Sequence, residues 1–422
     1  MRTYAIYLGR CWKTAFSGSG SYRLWLAVTG LIAALGLSGY ISQARYGLIV
    51  TGMTDQVSWG LYIGNFTFLV GVAAAAVMLV IPAYVYGKTS VKEVVLIGEL
   101  MAIAAIVMCL GFVTVDLGRP DRIWHMLPII GRFHWPVSML AWDVVVLTGY
   151  LVLNMHIPGY LLYRKYQGRP PTKRYYRPFI FISIVWAISI HTVTAFLYNG
   201  LSGRPFWNAA IIAPRFLASA FAAGPGLIFI VLVFLKRRGL YAVPEEALHK
   251  IKQIFTIALL INVFLLISEL FKEFYSNALH GAGSQYLWLG LDGFHGLVPW
   301  IWTATVLNLT AGAIYLVPRW KRNRNLVLAA CAMSFVGIWI EKGPGLVLPG
   351  FIPTPLGEIL EYRPTLTEIR ITVGIWAMGA FLYTVLLKMA LAIERGELRE
   401  SATPSKSIRM ISVPRVAGDP GH

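Results

Sequence analysis

The stretch that decides the fold is residues 93–122, EVVLIGELMAIAAIVMCLGFVTVDLGRPDR. Its first part, residues 93–115, is an apolar run of the length that crosses a bilayer, about 20 residues. Inside lipid, backbone polar groups need partners within the protein, so the run is predicted to be a helix. It stops at residues 116–122, which carry two carboxylates and two guanidiniums. The sequence therefore indicates a membrane helix that ends in a charged loop.

The rest of the chain repeats this pattern. Of its 422 residues, 57% are hydrophobic and 13% are charged, and the few residues outside the apolar runs exclude a large soluble domain. Ten membrane helices are predicted, at residues 24–42, 59–86, 93–115, 137–163, 178–198, 212–235, 252–277, 296–317, 325–341 and 368–392. Helices 2–5 and helices 6–9 are each expected to form a four-helix bundle, flanked by helices 1 and 10. The predicted fold is an all-α integral membrane domain with bundle one at 59–198 and bundle two at 212–341. That domain covers residues 1–395, and residues 396–422 form a cytoplasmic tail.

The 37 Lys and Arg residues outnumber the 19 Asp and Glu residues, and they sort by side of the membrane. With the N-terminus placed inside the cell, 27 lie in cytoplasmic segments, 8 in outer loops and 2 (Lys272 and Arg370) within helices. Basic residues favour cytoplasmic loops, so the chain is predicted to lie in the cytoplasmic membrane with both termini inside. Charge sorted in this way indicates topology and contact with membrane lipids, not a nucleic-acid site. Residues 1–20 have no uninterrupted apolar core, so a cleaved signal peptide is not expected.

Cysteine and histidine positions argue against a redox cofactor or a metal site in this chain. Cys11, Cys109 and Cys331 form no CxxC or CxxCH motif, so neither an iron–sulfur cluster nor an attached haem is predicted. A di-haem bundle needs four histidines within helices, and only His191 of the eight clearly lies in the hydrocarbon region. His191 falls in the outward half of helix 5, where an imidazole can exchange protons near neutral pH. The alternative is a buried histidine bonded to a neighbouring backbone.

Asp116 is the main catalytic candidate, because a carboxylate at a membrane boundary can exchange protons with a molecule that arrives through the lipid. Arg119 and Arg122 are expected to tune its pKa and to orient the loop. The alternative is structural, since Gly118 and Pro120 suit a helix end held by local ion pairs. Both interpretations can hold together.

A second group of candidates opens helix 2 on the same outer side. Tyr62 and Asn65 are three residues apart and share a helix face. The molecule that arrives through the lipid is predicted to be a quinone, and the phenol of Tyr62 and the amide of Asn65 are suitable hydrogen-bond donors to its carbonyl oxygen. Trp59 precedes them, although aromatic residues are common at any membrane interface.

Charged residues within helices suggest a proton path. Glu99 in helix 3 and Asp143 in helix 4 are placed in the cytoplasmic parts of their helices. Together with the histidine of helix 5 they form a broken route across the first bundle. Glu269 in helix 7 has Lys272 and Glu273 at helical spacing, so one pair can neutralise locally. The alternative for these acids is internal pairing that fixes the packing.

The motifs together resemble the polysulfide reductase NrfD family, also called NrfD/PsrC. The resemblance rests on WGLYI at residues 59–63, on DLGRP at residues 116–120 with Arg122, and on the helix that contains His191. It extends over nearly the whole chain. The closer match is to DsrP-type subunits of DsrMKJOP complexes, and it rests on EKGPG at 341–345, PGFIP at 349–353, and EYRPT at 361–365 with Glu368 and Ile369. HmcC-, QrcD- and HybB-like subunits share that ten-helix architecture.

The resemblance implies a quinone-reactive membrane subunit without redox cofactors of its own. Such a subunit exchanges electrons between menaquinone and an outer, ferredoxin-like iron–sulfur subunit, in a larger complex with haem-containing subunits that acts in sulfur or sulfite metabolism. Asp116 and His191 would handle protons, and the candidates at 59–65 with Arg119 and Arg122 would hold the quinone. Two other classes stay open: a secondary transporter, which many helices and intramembrane carboxylates also suit, and an inert membrane anchor for a redox partner.

Overall fold

The fold is given by a computed structural model that describes residues 2–127, 129–275 and 281–400. These residues are almost entirely helical and contain no β-strand, only an isolated bridge between Leu291 and Phe294. The helices that organise the fold are α1 (Arg2–Phe16), α2 (Gly20–Tyr46), α3 (Leu61–Ala74), α4 (Thr89–Asp116), α5 (Met139–Tyr166), α6 (Arg177–Asn199), α7 (Ile212–Arg237), α8 (Glu245–Tyr275), α9 (Ala282–Trp288), α10 (Val298–Leu316), α11 (Arg324–Lys342) and α12 (Leu366–Glu394).

Within the described residues, nine helices are long and apolar enough to cross a membrane, counting α3 with the turns that extend it to Val85. α10 lies at the position of the predicted eighth membrane helix. It has 19 residues, but it is not one of these nine helices. The predicted all-α integral membrane fold is confirmed. The observed helices run several residues beyond some predicted ends, as α2 and α8 show. Residues 276 and 277 of the predicted seventh helix lie outside the described part of the chain.

Two groups of four helices pack as closed rings. In the first ring α3 contacts α4 and α6, and α5 contacts the same two helices. In the second ring α7 contacts α8 and α11, and α10 contacts the same two. The rings meet where α7 packs against α3 and α6, and where α11 packs against α3. The division into a membrane domain of residues 1–395 and a separate tail stays a prediction, since residues 401–422 lie outside the described ranges.

α2 and α12 flank the first ring and pack against each other along most of their length. Gly36 and Gly374 meet at their crossing, where a Cβ added to either would lie 2.5 Å from the other's Cα. Small residues of this kind let membrane helices approach closely, which strengthens their van der Waals contact. α12 also packs on α4, so the flanking pair covers the side of the ring on which Asp116 lies.

α1 is a helix that the sequence analysis did not predict. Its buried residues Tyr7, Cys11 and Ala15 recur every fourth position and lie on one helix face. Tyr7 packs against the rings of Tyr163 and Tyr166 at the end of α5. The first residues of the chain are therefore a packed part of the fold.

Candidate functional site

Asp116 is the last residue of α4, and the chain becomes extended at Leu117. Pro120 opens a short 3₁₀ turn, Pro120–Met126, because its ring cannot continue the preceding helix. The Oδ1 atom of Asp116 is buried and has no hydrogen-bond partner in the described part of the protein. An unpaired carboxylate oxygen at a buried position costs free energy, which makes it a candidate for function. The term Asp116 end is used below for the end of the helix bundle at which α4 ends.

A hydrogen-bonded side chain from α2 ties α3 to the end of α4. Gln43 donates to the backbone carbonyl of Val115 at 2.6 Å, and its Oε1 accepts from the Tyr62 hydroxyl at 2.7 Å. Gln43 is buried and Tyr62 has no exposed surface. α2 and α3 together therefore hold Val115, the residue before Asp116, in place.

Glu368, near the start of α12, forms the other half of the site. Its carboxylate accepts from the backbone N–H groups of Gly52 and Thr365, at 2.6 and 2.9 Å, and from the Tyr362 hydroxyl at 2.5 Å. Thr365 and Glu368 form a capping box, which explains why α12 begins here. Glu368 is fully buried, and its charge acts on Asp116. Two acidic side chains, Asp116 at the end of α4 and Glu368 at the start of α12, therefore belong to this site.

Tyr362 fastens the segment before α12 to the start of α3. Its hydroxyl accepts a hydrogen bond from the Leu61 N–H at 2.9 Å. Burial and the neighbouring Glu368 raise the pKa of Tyr362, so it stays protonated at neutral pH. Its ring lies against Gly60, where an added Cβ would come within 2.4 Å of ring atoms. Only glycine permits this approach.

A cavity of about 350 Å³ opens beside Tyr362, between the start of α3 and the residues around α9 and α10. Leu297, Trp300 and Leu348 give it apolar walls, and Tyr286 and Glu361 add polar groups. Tyr286 donates to Glu361 at 3.2 Å. A mostly apolar cavity of this size with a few polar groups is typical of small-molecule sites.

The arginines after Asp116 do not pair with it as expected. Arg119 donates two hydrogen bonds to Asp121, at 3.0 and 2.8 Å, on the protein surface. These bonds hold the pKa of Asp121 below its usual range. Arg122 is also exposed. Both arginines are therefore surface residues at the Asp116 end, and no ion pair joins either of them to Asp116 among the described residues.

Tyr62 and Asn65 share a helix face, as predicted, but their polar groups already have protein partners. The Asn65 amide donates to the Leu61 carbonyl at 2.7 Å. Its oxygen accepts from the indoles of Trp339 and Trp376, at 3.0 and 2.8 Å. This arrangement fixes α11 and α12 against α3 and leaves neither donor directed at a ligand.

Trp59 lies half-buried in an aromatic cluster. Its ring is 5.7 Å from that of Tyr198 and 5.4 Å from that of Trp207. The Trp207 indole donates to the Leu346 carbonyl at 2.8 Å and is fully buried. The cluster joins both rings of helices at the Asp116 end.

Asp143 lies at the Asp116 end, so its placement in the cytoplasmic part of its helix is wrong. α5 begins at Met139, on the side where α4 ends, and Asp143 is in its second turn. Its Oδ1 accepts from the Thr194 hydroxyl of α6 at 3.3 Å. Tyr198 lies within electrostatic reach of both Asp143 and Asp116. The prediction is wrong because it judges the depth of Asp143 by distance from the helix ends alone, whereas α5 starts at the end where α4 finishes.

His191 and Glu99 occupy the interior of the first ring. His191 is fully buried, and its Nδ1 lies 3.1 Å from the Ala187 carbonyl. Its Nε2 has no partner among the described residues, and no hydrogen bond joins it to Asp116. Glu99 is 3% exposed, in the half of α4 away from Asp116, with Tyr84 and Tyr150 in electrostatic reach. The acidic side chains and the imidazole are therefore spread along the length of the first ring of helices and do not form one site.

The second ring holds a buried ion network that the sequence did not reveal. Arg215 of α7 pairs with Glu269 of α8 and donates to Glu341 of α11 at 2.8 Å. Lys342 lies 3.7 Å from Glu341. Glu269 therefore pairs across helices and not with Lys272, which pairs with Glu273 instead. The charge count places Arg215 and Lys342 in outer loops, whereas both are buried in helices.

Two amides complete this network. Asn262 and Asn308 each donate to the second oxygen of Glu341, at 3.2 Å. A signal was present in the sequence, since Asn262 and Asn308 interrupt apolar runs, but pairing between distant helices is not visible in the spacing. No group of three or more metal-binding side chains occurs in the described ranges.

Comparison with known proteins gives one family match. The family described as "Polysulphide reductase, NrfD" matches residues 49–343. The match begins before α3 and ends after α11, so it includes both rings of helices and Asp116.

Three relatives are similar over most of the chain. A putative membrane subunit of a dimethyl sulfoxide reductase from Halobacterium salinarum is 26% identical over 85% of this chain and 89% of its own length. An Hdr-like menaquinol oxidoreductase integral membrane subunit from Archaeoglobus fulgidus is 23% identical over 89% of this chain and 94% of its own. A selenate reductase subunit from Mesobacillus selenatarsenatis is 22% identical over 87% and 93%, respectively.

Proposed function

Because the chain belongs to the polysulphide reductase NrfD family, we propose that it is the quinone-reactive membrane subunit of a multi-subunit redox complex. The single observation that carries this proposal is Asp116, whose buried Oδ1 has no partner among the described residues. The names of the relatives support it. One is a menaquinol oxidoreductase subunit, and two are subunits of dimethyl sulfoxide and selenate reductases.

The quinone head group is proposed to bind in the cavity beside Tyr362. Its apolar walls suit a quinone ring, and the Tyr362 hydroxyl on its wall bonds to Glu368, which interacts with Asp116. Oxidation of a quinol releases two electrons and two protons, and reduction takes up the same number. Glu368 and Asp116 would exchange those protons, since a positioned carboxyl group is a suitable general acid or base.

The other predicted residues receive narrower roles in this proposal. Tyr62 and Asn65 hold the walls of the site through Gln43 and the two indoles, and Trp59 packs beside them. His191, Asp143 and Glu99 remain candidates for proton movement within the first ring. Arg119 and Arg122, being exposed, would face a docked subunit rather than the quinone.

The quinone is proposed to be menaquinone, and the electron partner a ferredoxin-like iron–sulfur subunit outside the cytoplasm. The motifs at 341–345 and 361–365 support a DsrP-type assembly with further, haem-containing subunits in sulfur or sulfite metabolism. The Asp116 end would face outward in the cytoplasmic membrane, with both termini inside. The charge asymmetry supports this orientation, and it grows when the buried Arg215 and Lys342 are removed from the outer loops.

Purification of the native complex tests the function. We expect the chain to co-purify with iron–sulfur protein and the assembly to oxidise a menaquinol analogue with an artificial acceptor. A chain that is stable alone and moves a solute would indicate a transporter. An assembly that neither binds nor turns over quinone would indicate an inert anchor.

A further inference from the structure

His191 and Lys342 line the same small cavity, although they belong to different rings of helices. The cavity lies where α3, α6, α7 and α11 meet, and Thr67, Gly71 and Ser219 also line it. Phe216 closes one side, with its ring 5.4 Å from the Lys342 ammonium. Polar groups from both rings therefore face one enclosed space.

His191 presents a proton acceptor to this space. Its Nδ1 bonds to the Ala187 carbonyl, which can only accept, so Nδ1 carries the proton. In the neutral ring Nε2 is then left with a lone pair. That atom is buried, without a partner in the described part of the chain, and a Cβ on Gly71 would lie 4.0 Å from it.

Lys342 connects the cavity to the ion network of the second ring. It is 3% exposed and lies beside Glu341, which Arg215 joins to Glu269. A second small cavity is lined by Arg215, Glu269 and Glu341, so both carboxylates face a common space. The Arg215 guanidinium has only donors and holds these carboxylates in place.

Thr67 connects the same cavity to the Asp116 end. Its hydroxyl bonds to the Tyr198 hydroxyl of α6, and Thr194, one turn earlier in α6, donates to Asp143 at the Asp116 end at 3.3 Å. Groups that can carry a proton therefore reach the cavity from two sides. One side is the proposed quinone site at the Asp116 end, and the other is the ion network of the second ring.

We propose that this cavity is a proton crossing between the two rings. The inference rests on the proposed function, because quinone chemistry supplies or consumes the proton. A water bound in the cavity takes a proton from the Lys342 ammonium and gives one to Nε2 of His191. An N–H bond of Lys342 breaks, the Nε2–H bond forms, and the positive charge moves to the imidazole. Lys342 then regains a proton from a hydronium ion that enters the second small cavity, where the carboxylates of Glu269 and Glu341 stay ionised beside Arg215 and attract it. An O–H bond of the hydronium ion breaks, an N–H bond of Lys342 forms, and a water molecule is left.

The test measures protons moved per electron and quinol turnover together, with the native complex in proteoliposomes. Lys342→Arg keeps the buried positive charge, but a guanidinium does not release a proton. We expect Lys342→Arg and Lys342→Met to lower the proton-to-electron ratio at least twofold while electrons still flow. The control, Lys88→Met, removes an exposed lysine charge at the opposite end and should leave the ratio unchanged.

A second variant adds bulk to the cavity without changing any charge. Gly71→Ala places a methyl group towards Nε2 of His191, at ordinary contact distance from Ala220. It should also lower the ratio, by displacing the water. Wild-type ratios in Lys342→Arg and in Gly71→Ala would overturn the crossing. Failure of the wild-type complex to turn over quinol would instead overturn the proposed function.

Discussion

Tyr362 donates a hydrogen bond to Glu368 at 2.5 Å, and this contact joins the wall of the large cavity to the acidic pair at the end of α4. The same hydroxyl accepts from the Leu61 N–H. One phenol therefore positions the start of α3, the start of α12 and the carboxylate beside Asp116. The proposed site depends on segments that are far apart in the chain.

Tyr362→Phe should reduce both stability and quinol turnover. The Leu61 N–H and Glu368 each lose a partner, which costs about 1–3 kcal/mol for a buried group. The control is Tyr241→Phe, whose hydroxyl donates to the Glu93 carbonyl at 2.6 Å at the opposite end. Both variants should lower the melting temperature of the complex, and only Tyr362→Phe should slow turnover. Equal turnover in the two variants would remove Tyr362 from the site.

Asn65→Leu should destabilise the protein strongly. It leaves the indole N–H groups of Trp339 and Trp376 without their common acceptor, at about 1–3 kcal/mol for each buried donor. Asn154→Leu is the matched control, because its amide donates only within α5, to the Tyr150 carbonyl. Thermal unfolding should show a larger loss for Asn65→Leu. Equal losses would mean that the indole bonds contribute little.

Arg215→Met should destabilise the second ring, because Glu269 and Glu341 would keep buried charges without their common cation. Breaking a buried ion pair from one side typically costs about 3–5 kcal/mol. The control, Arg324→Met, removes an exposed guanidinium that pairs with Glu245 at 2.7 Å, and exposed pairs contribute about 1 kcal/mol at most. The measurement is the melting temperature of the two purified variants. Indistinguishable values would show that the network is hydrated and weakly coupled.

The sequence predicted the helices well because their signal is local. Each apolar run has the length that lipid requires, and compact connections make consecutive helices neighbours, which leads to the two rings. α1 was missed because its buried positions repeat every fourth residue between exposed apolar and basic ones. A helix that packs by one narrow face leaves no long apolar run to detect.

The site was predicted only in part, because its key contacts join distant segments. Asp116 stood out as a carboxylate at a helix end, and the structure finds it half-buried, with a buried Oδ1 that is unpaired among the described residues. Glu368 was noted only as part of a family motif, and neither its place in the site nor the ion pair of Arg215 with Glu341 was predicted, since neither spacing nor composition shows which helices face each other. The pairing of Arg119 with Asp121 rather than Asp116 depends on a turn whose direction the motif does not encode.

The separated subunit should show no haem absorbance. Two axial imidazoles would have to face one another across a bundle. His191 is buried with Nδ1 bonded to its own helix, and His156 is exposed with Nε2 2.9 Å from the Tyr175 carbonyl. A pyridine haemochrome assay on the purified chain checks this. A b-type Soret band that is lost in His191→Ala would contradict it.

The most direct test of the central claim is quinol turnover by the assembled complex carrying Asp116→Asn. The substitution keeps the shape of the side chain but removes its ability to accept a proton, and loss of a general acid or base typically lowers the rate about 100- to 10,000-fold. Asp121→Asn is the matched control, because Asp121 is an exposed carboxylate in the same loop. We predict that both complexes assemble, that Asp116→Asn lowers menaquinol-analogue turnover by about 100-fold or more, and that Asp121→Asn retains it. Wild-type turnover in an assembled Asp116→Asn complex would contradict the assignment of Asp116 as the proton-exchanging group.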